Sequence, residues 1–224
     1  MTRLIVLLIF AVACTTAPLP PLAPRFLLHL PAAYDSRSDW PMIVFLHGAG
    51  ERGRDLDLVK REALPRILET LPDFPFVVVS PQEEKGRLWT AEGLSSLVDD
   101  MTGKYRVDPK RIYVTGLSTG ATTALELAIA RPDQIAAVAA VSPTRIPPGL
   151  CGMKDVSVWI FQNAADDRVP PARSKKLARE LETCGGKGEV RLTFYQREGH
   201  DSWTETYRRT DLYEWFLKHP SAAP

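Results

Sequence analysis

From Arg25 onward, short runs of β-branched and aromatic residues alternate with stretches of helical periodicity, and this alternation restricts the fold more than any other feature. Strands are expected at Phe26 to Leu30, Met42 to Leu46, Phe76 to Ser80, Ile112 to Gly116, Ile135 to Val141, Val156 to Gln162 and Val190 to Tyr195. Several are apolar at consecutive positions, as strands covered on both faces are. Helices are expected between them at Asp57 to Thr70, Leu94 to Lys104, Thr119 to Ala130, Pro171 to Thr183 and Trp203 to Lys218. In the third, Ala121, Ala124, Leu125 and Ala128 fall at i, i+3, i+4 and i+7, small enough to bring the helix close to a sheet, and Pro132 stops it. The expected class is α/β, a mostly parallel central sheet with helices on both faces.

Charge and cysteine content narrow the function. With 28 Lys plus Arg against 27 Asp plus Glu, the net charge of +1 leaves no electrostatic footprint for nucleic acid. At 45% hydrophobic and 25% charged, the chain is neither disordered, collagen-like nor a multi-span membrane protein. Cys14, Cys151 and Cys184 form no C-x-x-C pair and no close Cys/His spacing, so a structural zinc site or dithiol redox centre has no ligand set. Ahead of the domain, Arg3, the apolar run Leu4 to Val12 and the small residues Ala11 to Ala13 read as an export signal over residues 1–13. The prolines of residues 14–24 make a semi-extended tether, and residues 25–224 a single domain. Ala-Val-Ala-Cys, ending at Cys14, resembles the lipobox of bacterial lipoproteins, which implies membrane attachment through a lipidated Cys14. Simple cleavage near Cys14 would instead give a periplasmic or secreted protein.

Two glycine motifs follow strands. Gly48-Ala49-Gly50-Glu51-Arg52-Gly53 matches the G-x-G-x-x-G of dinucleotide-binding turns, but the next strand ends Val79-Ser80-Pro81-Gln82 without an acid to hold a ribose, and the turn itself is charged. Gly116-Leu117-Ser118-Thr119-Gly120 stands between a strand and a helix, where a strained turn thrusts a serine hydroxyl outward and small flanking residues let it form. A bare G-x-S-x-G is also compatible with plain strand-to-helix packing, so its partners decide.

Of the 4 histidines, His29 falls within an early strand, His219 at the chain end, and His47 before Gly48, where shaping a turn suits it. His200 follows the last strand, at the C-terminal edge of the sheet, where open α/β folds bind ligands. A carboxylate must orient its imidazole. Asp166 and Asp167, after the strand Val156 to Gln162, both qualify. The order Ser118, Asp166 or Asp167, His200 is that of the α/β hydrolases.

These segments, with Phe45 to Gly53, Asp166 to Pro170 and Gly199 to Trp203, together resemble the phospholipase/carboxylesterase-type branch of the α/β-hydrolase superfamily over nearly the whole mature chain. The resemblance implies a carboxylic ester hydrolase that acts through an acyl-enzyme, with no metal or organic cofactor. In that family the acid commonly stands in an Asp-x-x-Val-Pro segment, which implies Asp166. The chain departs from the family at Thr119 and Ala121, where Met and Gly are usual, and at Gln162-Asn163, where His-Gly is frequent. The backbone N–H groups of Ala49 and Thr119 are the expected oxyanion donors, each typically worth about 3 to 4 kcal/mol in the transition state.

Only Ser142 to Asp155 separates two strands where cap domains of this fold are commonly inserted, so the site is expected to be open and suited to bulky or polymer-linked esters as well as small ones. Trp89 and Trp203 either wall the pocket or pack in the core, and Glu51 and Arg52 either bind substrate or brace their turn. Amide cleavage by the same groups is the alternative activity. A binding lipoprotein on a hydrolase scaffold is the alternative class, although a pure binder has no need of all three groups. Cys151 and Cys184 precede neighbouring strands, and in an oxidising compartment they either bridge or remain free thiols.

Overall fold

A computed structural model describes residues 25–221. The export signal, Cys14 and the tether lie outside the described residues. One sheet of 7 strands runs through the domain: β1 (Phe26–His29), β2 (Trp40–Leu46), β3 (Val77–Pro81), β4 (Val107–Leu117), β5 (Ile135–Val141), β6 (Ser157–Ala165) and β7 (Val190–Glu198), in the order β1-β3-β2-β4-β5-β6-β7. Only β1 is antiparallel, pairing Phe26 with Pro81 and His29 with Val78; all other pairings are parallel. The C-terminal ends of β2 to β7 therefore share one rim.

The helices are α1 (Ala63–Leu68), α2 (Ala91–Lys104), α3 (Thr119–Ala130), α4 (Pro171–Thr183), α5 (Trp203–Thr206) and α6 (Thr210–Leu217). Every residue of β2 and β5 is buried, as the consecutive apolar runs require. Alternate side chains go to opposite faces. Met42, Val44 and Leu46 pack with α2, α3 and α4, whereas Ile43 and Phe45 pack with α1 and α6. Ala121, Ala124 and Ala128 of α3 are fully buried against the sheet.

Two expected helices differ. The segment expected as a helix over Asp57 to Thr70 is a 3-10 stretch, Leu56–Arg61, followed by the short α1, with an extended Glu62 (φ −152°) and a left-handed Ala63 (φ 58°) between them. Pro65 is the cause: inside a longer helix it would lack its N–H bond and clash with the carbonyl of Arg61, whereas the first turn of a helix accepts it. The segment expected over Trp203 to Lys218 divides into α5 and α6 at an extended Arg209. The break sends the fully buried Tyr207 into the core, where its hydroxyl meets Thr115 Oγ1 at 2.9 Å and its ring meets Phe45 edge-on.

β5 connects to β6 through a segment whose only helical element is the 3-10 turn Leu150–Met153, and among the described residues no cap domain covers the rim. A disulfide joins Cys151 in that turn to Cys184 at the end of α4, so the bridge seen as one of two outcomes for these thiols is formed. It lies at the start of β6 and β7, on the rim opposite Ser118.

Candidate active site

Ser118 ends β4 and caps α3 with φ 53° and ψ −116°, a conformation that residues with a Cβ rarely adopt. The flanking glycines permit it. A Cβ on Gly116 would stand 2.6 Å from backbone atoms of Gly120, and one on Gly120 would stand 2.1 Å from the Leu46 carbonyl oxygen. At these two positions β4, α3 and β2 touch backbone to backbone, which fixes where the serine points.

His200 follows β7 past Gly199, and its Nε2 lies 3.0 Å from Ser118 Oγ. Its Nδ1 lies 2.8 Å from Asp166 Oδ2, just beyond β6. A carboxylate only accepts, so the imidazole carries its proton on Nδ1, and Nε2 is free to accept from the serine hydroxyl. Asp166 is buried; Asp167, the competing carboxylate, is exposed. Oδ1 of Asp166 accepts the backbone N–H groups of Arg168 and Val169, both at 2.9 Å, which holds the carboxylate in one orientation.

Two buried amides, not singled out as site residues from the sequence, support this arrangement. Gln162 Nε2 donates to Asp166 Oδ2 at 2.6 Å and to the Val169 carbonyl at 3.0 Å, while its Oε1 accepts from Ser174 Oγ at 2.7 Å. Asn163 Nδ2 donates to the carbonyls of Gly199 at 2.9 Å and Asp201 at 3.2 Å, clamping the loop on both sides of His200. The signal was present as the departure from His-Gly at these positions, but nothing in the sequence shows what the amides face.

The turn after β2 comes to the same place. Gly48 lies close to the serine, since a Cβ built on it would be 3.7 Å from Ser118 Cβ. Ala49 opens the 3-10 turn Ala49–Glu51 and Thr119 opens α3. The N–H groups that open a helical turn have no partner within it. His47 shapes this turn: its Nε2 accepts the Glu83 N–H at 2.9 Å, which puts its proton on Nδ1, bonded to the Gly48 carbonyl at 2.6 Å. Burial holds this imidazole below the ordinary histidine value, so it is neutral.

The expected pocket residues separate into two groups. Trp203 is buried, edge-on to the His200 ring with centroids 5.3 Å apart, and its Nε1 donates to Glu62 Oε2 at 2.8 Å. Glu51 is buried in the same region, and burial together with Glu62 pushes its carboxyl up to about 7. Its 4.0 Å approach to His47 meets an imidazole whose Nε2 is an acceptor and whose Nδ1 proton is bonded to the Gly48 carbonyl, so it is not an ion pair. Trp89 stands apart, half-buried against the His47 ring at 4.7 Å. Arg52 braces the turn by pairing with Glu83, whose other oxygen accepts the Trp89 N–H. His29 and His219 lie away from the site, His219 between Trp215 and Glu189.

The fold and the clustered serine, histidine and aspartate define an α/β hydrolase. The chain belongs to the esterase family, whose model, described as "Putative esterase", matches residues 22–211. It is 27% identical over 161 residues to poly(3-hydroxyalkanoate) depolymerase C of Paucimonas lemoignei, covering 64% of this chain and 36% of that protein. A thermostable esterase superposes with a TM-score of 0.73 at 26% identity, over 87% of this chain and 59% of its own. Esterase PE8, at 21% identity, shares the fold with a TM-score of 0.62, over 88% of this chain and 97% of its own. The chain thus spans roughly a third of the depolymerase and three fifths of the thermostable esterase.

Proposed function

We propose that the protein is a serine hydrolase of carboxylic esters. The observation that carries this reading is the unbroken chain of short contacts from Ser118 Oγ through His200 to Asp166, contributed by three strand ends of one rim. Ser118 attacks the ester carbonyl as His200 Nε2 takes its proton, and Asp166 holds the tautomer and stabilises the imidazolium. The Ala49 and Thr119 N–H groups receive the negative oxygen of the tetrahedral intermediate. His200 then returns the proton to the leaving alcohol, and a water activated by the same imidazole releases the acid and restores the serine.

The uncovered rim and the depolymerase relative support bulky or polymer-linked esters among the substrates. The Cys151–Cys184 bridge supports export to an oxidising compartment, and the mass of the mature protein tests whether Cys14 is acylated. Hydrolysis of short p-nitrophenyl esters tests the activity. Ser118→Ala and His200→Ala are expected to lower kcat by about 10,000-fold or more and Asp166→Asn by about 1,000- to 10,000-fold, with Asp167→Ala close to wild type. Comparable turnover by Ser118→Ala would refute the assignment.

A further inference from the structure

Two carboxyl groups that this mechanism leaves unused meet beside Ser118 and His200. Glu51 closes the turn that carries the Ala49 N–H and is 8% exposed. Its Oε2 is buried with no donor group directed at it, and burial together with the neighbouring Glu62 pushes its carboxyl up. Two carboxylates held close together out of water repel, which favours a proton on one of them. The backbone is bent to bring Glu62 there, through the left-handed Ala63 that follows it. Glu62 Oε2 in turn accepts the Trp203 indole N–H, across 141 residues of sequence, and that indole stands edge-on to His200. A Cβ on Gly48 would be 3.3 Å from Glu51 Oε2 and 3.7 Å from Ser118 Cβ, so the carboxyl adjoins the place where negative charge develops.

The neighbouring elements offer Glu51 little compensation for a charge. His47 is neutral, with its Nδ1 proton committed to Gly48. Arg52 is engaged by Glu83, Arg54 by Glu84 and Lys60 by Asp57. Arg66 on α1 donates to the Arg61 carbonyl, and Glu205 on α5 pairs with Arg197.

We propose that Glu51 and Glu62 share a single proton, and that this proton positions the site by tying the oxyanion turn to the histidine loop while keeping a second negative charge away from the reacting oxygen. Both are positioning residues, and the inference rests on Ser118 being the nucleophile. When hydroxide removes the shared proton, two carboxylates are left in contact, the tie is replaced by repulsion, and the developing oxyanion faces a nearby anion. Burial and Glu62 place this loss near neutral pH. Esterase activity therefore falls on the alkaline side, where activation by a neutral imidazole alone would let it rise to a plateau.

The linkage has a matching sign. The folded protein keeps a proton that the unfolded chain gives up near its ordinary value of 4.5, so stability is full below that pH and declines up to about 7. The test is the pH dependence, from 5 to 9, of kcat/KM for p-nitrophenyl acetate and of the thermal midpoint, in wild type, Glu51→Gln and Glu62→Gln. Wild type should lose roughly tenfold of its maximal kcat/KM on the alkaline side. Glu51→Gln should lack that fall and show a flatter midpoint between pH 5 and 8, because an amide donates to Glu62 at every pH. Glu62→Gln should move the fall to lower pH. Superimposable profiles in wild type and Glu51→Gln overturn the proposal. Failure of Ser118 to react with a fluorophosphonate would instead overturn the esterase reading, and the midpoint data, taken without substrate, would still decide whether the proton is shared.

Discussion

Ser118 is held in a left-handed backbone conformation because two residues without side chains surround it, and Gly120 is the less forgiving of the two. A methyl group there would occupy the space of the Leu46 carbonyl, 2.1 Å away, and neither β2 nor α3 can retreat without opening the core. Gly120→Ala should therefore destabilise the protein by on the order of 3 kcal/mol or more, read as a lowered denaturation midpoint. Asn163 holds the loop of His200 rather than the turn of Ser118. Replacing it with Ala leaves the Gly199 and Asp201 carbonyls without their shared donor, and kcat should fall about 10- to 100-fold with KM little changed. An unchanged kcat would mean that the histidine loop holds itself. At this scale Ser118 and His200 were legible in the sequence because each stands on a strand end with chemistry few other residues could supply. Asp166 and Asp167 were equal on placement alone, and the resemblance to an Asp-x-x-Val-Pro segment pointed to Asp166, the one that lies buried against His200. The roles of Gln162 and Asn163 were hidden because an amide takes its function from what it faces, and the carbonyls held by Asn163 lie more than thirty residues away.

The strands, α3 and α4 follow directly from local patterning: the apolar runs match buried strands, and Pro132 and Pro171 mark helix boundaries. The two helices that divide show where periodicity misleads. Apolar spacing alone allows one helix from Asp57 to Thr70, but Pro65 restricts the helix to a start just before it, and the resulting bend delivers Glu62 to Trp203. The α5/α6 break serves Tyr207, whose burial against Phe45 and Thr115 depends on the sheet face it covers, distant in sequence, and leaves no local trace. The disulfide ties the turn before β6 to the end of α4 and encloses a separation of 33 residues. Loop-closure entropy gives it roughly 3 to 4 kcal/mol, so Cys151→Ser with Cys184→Ser should lower stability by about that amount in denaturant titration. Because the bridge is on the rim away from Ser118, kcat of the folded double variant should match wild type. A large loss of kcat would contradict that separation.

For the whole molecule, the decisive property is that strands far apart in sequence end on the same rim. Parallel pairing of β4, β5, β6 and β7 brings the ends that carry Ser118, Asp166 and His200 together, and the short connection after β5 leaves the rim uncovered. With no cap to displace, hydrolysis of soluble short-chain esters should follow simple saturation, without a rate jump when substrate passes its solubility limit. Activation at a lipid interface would contradict an open site. The central claim is tested most directly by reacting the folded protein with a fluorophosphonate and mapping the modified peptide by mass spectrometry. A single adduct on Ser118, absent in Ser118→Ala and formed far more slowly in His200→Ala, is the predicted result. An unmodified folded protein, or an adduct that persists in Ser118→Ala, would contradict the account.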